Sequence, residues 1–230
     1  MSEEVRQMFA EIAPRYDIAN STLSLGTHRR WRKRAVRLSE AGNGMSVLDC
    51  ATGTGDLAME FKRAVGADGN VTGTDFCKEM MQTAPQKAAA AGLDIHYETA
   101  DVTALRYPDN SFDITSISFG IRNVDDPSQA LREMARTTRP GGKVVVIEFG
   151  QPQGLFGALY NLYSRYIIPT VGGALSGKKS AYSYLARTSA QFPAGEKFLA
   201  LMRETKVFSS VSATPLTFGV AFTYIGIKKR

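Results

Sequence analysis

From Ser46 to Phe149, short and largely apolar runs alternate with stretches of helical period. Strands of that kind are covered on both faces, which points to a parallel sheet with helices packed on either side. The spacing predicts strands at 46–51, 71–75, 95–100, 112–119 and 143–149, with helices at 55–65, 78–91 and 128–138. Each strand–helix–strand step implies a right-handed crossover. "RPGGK" (139–143) closes the last of these helices and turns the chain into the fifth strand. A helix at about 192–205 then precedes strands near 206–213 and 217–227. Only Thr214 and Pro215 separate that last pair, so it is expected to be antiparallel.

Outside this frame the pattern is looser. Residues 3–13 place Val5, Met8, Phe9 and Ile12 on one helical stripe that ends at Pro14, and 16–27, "YDIANSTLSLGT", reads as turn-rich. Residues 151–177 carry a single charged side chain, Arg165, amid leucines, isoleucines and tyrosines. Pro169 and the Gly172–Gly173 pair interrupt that stretch, which argues against a transmembrane helix.

The first strand runs into "DCATGTGDLA", where Gly53, Gly55 and Ala58 match a loose dinucleotide-binding pattern and Asp75 follows about 20 residues on. Ligands of doubly wound sheets lie beyond the carboxyl ends of the strands, and Asp49, Gly53, Gly55, Asp75, Asp101 and Ser118 all fall there. The crevice they imply is acidic, and Asp56 opens the helix itself. A carboxylate at a helix N-terminus opposes a pyrophosphate. S-adenosylmethionine reverses the requirement, since it carries a sulfonium and an ammonium and no phosphate. Asp75 is placed to take both ribose hydroxyls, while Asp101 and the Val102 N–H are placed to read the adenine. The plainer readings make Asp56 a dipole-favoured helix opener and Asp101 a turn cap.

The net charge is +6, and residues 28–38, "HRRWRKRAVRL", hold six cations and no acid. Such a run is a solvated helix face, or it attracts anionic lipid or nucleic acid. Two cysteines and two histidines give neither a disulfide framework nor a zinc site, and a reduced, cytoplasmic protein is expected. The acidic, amphipathic N-terminus is unlike a secretory signal.

"DCATGTGD", "GTDFCKEM", "DVTALRYPDNSFD" and "RPGGKVVVIEF" resemble the successive motifs of class I S-adenosylmethionine-dependent methyltransferases. "APRYDIANSTLSLGTHRRWRKRAV", "SISFGIRNVDDPSQALREMARTTRPGGKVVVIEFGQP" and "YSYLARTSAQFP" more specifically resemble the UbiE/MenG family, which C-methylates polyprenyl quinols in menaquinone and ubiquinone biosynthesis. The resemblance implies a Rossmann-like, doubly wound, seven-stranded α/β sheet, mostly parallel with the last strand antiparallel. It implies one methyltransferase domain over 1–230: an N-terminal helical lid (1–40), a cofactor-binding core (45–150), an apolar insertion after the fifth strand (151–190) and a C-terminal helix with a strand pair (191–230). By motif position, Thr54, Asp75, Phe76, Asp101, Val102 and Ser118 are implied to touch S-adenosylmethionine, beside Asp49, Gly53 and Gly55 at the turn.

Methylating a ring carbon needs a phenolate and in-line placement of that carbon, and no metal. Arg122 and Asn123 follow the fourth strand, where a guanidinium stabilises a developing phenolate and an amide orients the second hydroxyl. Tyr16 of the lid is the third candidate. The alternative for Arg122 is a salt bridge to Asp125 or Asp126, and for Tyr16 a packed lid aromatic. The insertion is expected to hold the isoprenoid tail or lie at a bilayer surface, with core or a homodimer contact as the plainer reading. Lys178, Lys179 and Arg187 would join residues 29–37 in a basic rim meeting anionic headgroups, placing the protein peripherally on the inner face of the membrane.

Rival readings are a nicotinamide-dependent oxidoreductase, opposed by Asp56, and a methyltransferase of another lipophilic small molecule or of nucleic acid. The last is disfavoured because the chain has no N-P-P-[YF] tetrapeptide and Cys77 lies in the cofactor half, so no nucleic-acid partner is expected. A non-catalytic cofactor-binding subunit of a quinone-biosynthesis complex is the remaining class.

Overall fold

In the computed structural model, which describes residues 3–230, five strands form the parallel part of the sheet: β1 (Ser46–Cys50), β2 (Asn70–Asp75), β3 (His96–Thr99), β4 (Phe112–Ser118) and β5 (Thr138–Phe149). With β6 (Phe208–Leu216) and β7 (Ala221–Lys228) they make one seven-stranded sheet of order β3-β2-β1-β4-β5-β7-β6. β7 pairs antiparallel with both β5 and β6, as the helix-free connection requires. Strand order reverses between β1 and β4, and that is the switch point where a crevice opens.

The alternation of side chains along β5 explains the two cores. Val144 and Val146 face one side with Leu48, Ile117, Met134 and Phe198. Val145 and Ile147 face the other with Val47, Phe61, Ile114 and Trp31. α6 (Pro127–Thr137) and α10 (Glu196–Glu204) cover the first face, while α3 (Thr27–Ser39) and α4 (Asp56–Val65) cover the second. α1 (Glu3–Ile12), α2 (Tyr16–Leu23), α7 (Gly154–Leu162), α8 (Ile168–Ser176) and α9 (Lys179–Gln191) build a cap, in which Ile12 and Ala19 pack on Ala181 and Tyr182.

Four local expectations are corrected. Residues 16–23 are helical although rich in polar turn formers, because Ala19 is fully buried under the cap. The expected 78–91 helix divides into a 3-10 turn (Lys78–Met81) and α5 (Ala84–Ala90), with Pro85 in its first turn. The β6–β7 turn lies at Thr217–Gly219, three left-handed residues, and Thr214–Pro215 belongs to β6, an edge strand where proline is tolerated. The "RPGG" segment forms an irregularity within β5, between the Phe112–Thr138 and Ile114–Lys143 pairs. No helix among the described residues is long and apolar enough to cross a membrane. The 154–176 stretch is α7, one π-helical turn (Tyr163–Ile167) and α8, which accepts Pro169 in its first turn.

Candidate active site

Beyond β1 the chain reverses through Ala51 (φ 50°), Gly53 (φ 54°) and Gly55 (φ 81°) and enters α4. At Gly55 a Cβ would lie 2.5 Å from the Tyr97 hydroxyl, so only glycine fits. The Gly53 N–H donates to Asp75 Oδ2 at 2.9 Å and the Cys77 N–H to Asp75 Oδ1 at 2.8 Å, so the end of β2 fastens the turn. Beneath it, Asp49 accepts from Thr52 Oγ1 at 2.8 Å and Ser116 Oγ at 2.7 Å. Burial lifts the carboxyls of Asp49 and Asp75 to about 6, the hydrogen bonds to each holding them down only in part.

Two cavities meet at the turn. The narrower one runs along the ends of β2, β3 and β4 and is lined by Gly53, Asp75, Phe76, Asp101, Val102, Ser118 and Asn123. Asp101 Oδ1 accepts from the Thr103 N–H (2.9 Å) and hydroxyl (2.8 Å), so it does cap a turn, while no hydrogen bond engages Oδ2 among the described residues. The larger cavity, about 450 Å³, is lined by Asp49, Gly53, Thr54, Ser118 and Arg122 on the sheet side and by the cap from outside. Tyr16 and Ser118 face both cavities, and burial raises the Tyr16 phenol above its usual range. Ser118 Oγ is buried with no hydrogen-bond partner. Gly55 lines neither cavity; its part is to shape the turn.

A polar chain ties the cap to the turn. Thr54 Oγ1 donates to Asp17 at 2.6 Å, Lys87 Nζ reaches Asp17 (2.6 Å) and Asp56 (2.8 Å), and Arg32 meets Asp56 at 2.5 Å. Arg32 also donates to His28 Nδ1 at 2.9 Å, which leaves the His28 proton on Nε2. Burial lowers the His28 imidazole to about 4, with Arg32 adding to it. Asp56 is therefore neutralised by two cations, and the acidity of the site rests on Asp49, Asp75 and Asp101. Arg32, one of the six cations in the basic run, is buried and spent here.

Arg122 pairs with Glu148, an acid on β5 that the sequence reading did not name. Its Nη1 bonds both oxygens of Glu148, at 2.9 and 3.1 Å, and the Phe119 carbonyl. The guanidinium lies 5.2 Å from the centre of the Phe149 ring, and its buried Nε has no partner. Burial raises the Glu148 carboxyl, and Arg122 counters this. Asn123 Oδ1 accepts from the Tyr184 hydroxyl at 3.1 Å, which leaves its amide N–H groups for a ligand. Glu148, Arg32, Lys87, His28 and Tyr184 were not singled out for the site from sequence. Of these only Glu148 carries a signal: an acid ending an otherwise apolar strand must find a cation.

Against known proteins, the model of the ubiE/COQ5 methyltransferase family matches residues 1–228. The chain belongs to this family. It is 58% identical over 228 residues to a ubiquinone/menaquinone biosynthesis C-methyltransferase UbiE from Bdellovibrio bacteriovorus, covering 99% of this chain and 97% of that protein. A demethylmenaquinone methyltransferase from Thermus thermophilus is 46% identical, covering 95% of this chain and 99% of that protein. A solved SAM-dependent methyltransferase from Thermotoga maritima superposes with a TM-score of 0.68 at 19% identity, covering 98% of this chain and 100% of that one. That likeness establishes the fold: a Rossmann-like methyltransferase sheet.

Proposed function

We propose that this chain is an S-adenosylmethionine-dependent C-methyltransferase that converts demethylmenaquinol to menaquinol, with a demethylated polyprenyl benzoquinol as the other ring within its chemistry. The observation that carries the reading is the junction of the two cavities: an acid-lined turn at the switch point opens directly into a 450 Å³ cavity walled by Trp31, Phe119, Phe149, Phe156 and Tyr160. The names of its family relatives support the same substrate class.

The residues fit the cofactor. Buried carboxylates that ionise near pH 6 suit a ligand with two cationic groups, and the orphaned Ser118 hydroxyl is a polar atom waiting for one. Bound S-adenosylmethionine supplies a methyl group on sulfonium. Asp75 would hold the ribose hydroxyls, and Asp101 Oδ2 with the Val102 N–H would read the adenine beside Phe76. Asp49, Gly53, Thr54 and Ser118 would hold the methionyl end on the turn that Gly55 shapes.

On the quinol, Arg122 acts as a hydrogen-bond donor. Its charge is matched by Glu148, so its unused Nε offers a directed bond to a ring oxygen that gains negative charge as the proton leaves. Tyr16, kept neutral by its raised pKa, donates to the ring from the cap, and the Asn123 amide fixes the second oxygen. The quinol proton, and later the ring-carbon proton, pass to water. The capped, apolar cavity excludes bulk solvent and holds the ring carbon in line. A substrate with an isoprenoid tail resides in a bilayer, so the protein works at the cytoplasmic face of the membrane. Mass spectrometry of each demethylated quinol after incubation tests this: the expected product carries one new methyl on a ring carbon, and a methyl ether would refute the C-methyl assignment.

A further inference from the structure

The mouth of the larger cavity carries features the reaction does not need. Leu25, Phe156 and Leu159 line it yet are 87%, 40% and 60% exposed, and Phe218, 83% exposed, packs its ring 5.4 Å from that of Phe156. Leu25 (φ 50°), Thr217 (φ 42°) and Phe218 (φ 55°) adopt left-handed backbone conformations that cost energy in non-glycine residues. Strained turns that present bulky apolar side chains to solvent mark an interaction surface.

Beside the mouth, and sharing Thr27, Trp31 and Thr217 with its wall, lies a groove lined by Arg30, Lys33, Arg34 and Arg37 of α3 and by Arg63. The four α3 cations are exposed and make no ion pair among the described residues, whereas Arg63 is paired with Glu60 at 3.0 Å. Of the three cations expected from the other side, Lys178 pairs with Glu11 at 2.9 Å and Arg187 lies over the Tyr184 ring, while Lys179 is exposed.

We infer that this face docks on an anionic lipid bilayer, with Leu25, Phe156, Leu159 and Phe218 entering the acyl boundary and Arg30, Lys33, Arg34 and Arg37 seated on headgroup phosphates. The cavity mouth then opens into lipid, so a long-tailed substrate enters without crossing water; this rests on the quinol reading above. Charge complementarity selects the occupant. A second copy would bring the same unpaired cations face to face across a two-fold axis. A nucleic acid would satisfy the cations and leave the leucine and phenylalanine tips without a partner.

The test is co-sedimentation with phosphatidylcholine vesicles, with and without phosphatidylglycerol. The wild type is expected to bind the anionic vesicles preferentially. Arg30→Gln/Arg34→Gln/Arg37→Gln, with unchanged circular dichroism, should lose about 100-fold in partition at roughly five-fold per cation. Phe218→Ser should lose about ten-fold. The triple variant should methylate a short-tailed, water-soluble demethylmenaquinol at the wild-type rate while its KM for the full-length quinol in anionic vesicles rises. Equal partition of the wild type on the two vesicles, or a triple variant that binds as wild type, overturns the proposal. Tighter retention on a DNA duplex, or a dimer dissolved by Phe218→Ser, overturns it in favour of those partners. No turnover of the short-tailed quinol by the wild type would sink the methyltransferase reading alone, since the vesicle arms stand without it.

Discussion

Replacing Glu148 with glutamine keeps the shape of the side chain and one acceptor for Arg122 but removes the charge. The two partners are 0% and 4% exposed, so water cannot take over. Arginine stays protonated under all working conditions, and an unmatched guanidinium in this position costs about 3 kcal/mol. For a chain of this length that lowers the melting midpoint by roughly 6–12 °C. The reverse change, Arg122→Met, is milder in acid, because Glu148, already raised by burial, can take up a proton. Glu148→Gln should therefore be costly at every pH, Arg122→Met progressively less so below neutrality, and the double variant less costly than the sum by about 2 kcal/mol or more. Thermal denaturation of the four proteins at pH 5 and 7.5 decides it. A Glu148→Gln midpoint within error of wild type, or an additive cycle, would refute the reasoning.

Four further outcomes follow from the same geometry. Asp49 and Asp75 titrate near 6 in the free protein, raised from 3.8, and a cationic ligand selects their ionised forms. Calorimetric affinity for S-adenosylmethionine should thus fall as pH drops below 6, by up to ten-fold per unit for each carboxylate, and Asp49→Asn should flatten part of that slope. The same raised values make the unliganded protein lose stability as pH rises from about 4 to about 6, and Asp49→Asn should reduce that loss in urea titrations. Gly55→Ala meets Tyr97 Oη at 2.5 Å with φ at 81° and should cost about 2 kcal/mol or more while weakening cofactor binding. Arg122→Met should lower kcat by about 100-fold with cofactor affinity retained, as equilibrium binding beside steady-state rates would show. A scaffold would show no turnover to lose.

The strands were legible because β1, β4 and β5 are buried on both faces and so are largely apolar, and the glycine turn because Gly55 combines a positive φ with a close approach to Tyr97. α2 was not, since "YDIANSTL" has weak local helical character and is held by distant groups: Asp17 by Thr54 and Lys87, Ala19 by the cap. The β6–β7 turn was placed early because proline usually breaks a strand, and nothing local says that β6 lies at the edge. Asp75, Asp101 and Ser118 share a cavity because consecutive strand ends converge there, which periodicity alone implies, whereas Phe76 came with the family resemblance. The partner of Arg122 was missed for the opposite reason. Glu148 is 26 residues away in sequence and adjacent only because β4 and β5 pair. Charge neutralisation of Asp56 by Arg32 and Lys87 is likewise a product of folding.

The most direct test of the central claim is transfer of labelled methyl from S-adenosylmethionine to demethylmenaquinone in detergent micelles, run with the ring reduced and with it oxidised. The geometry of Arg122, Tyr16 and Asn123 serves a ring that can become a phenolate, so label should enter a ring carbon of the quinol and not of the quinone. Equal labelling of both oxidation states, or none in either while S-adenosylmethionine still binds, would contradict it.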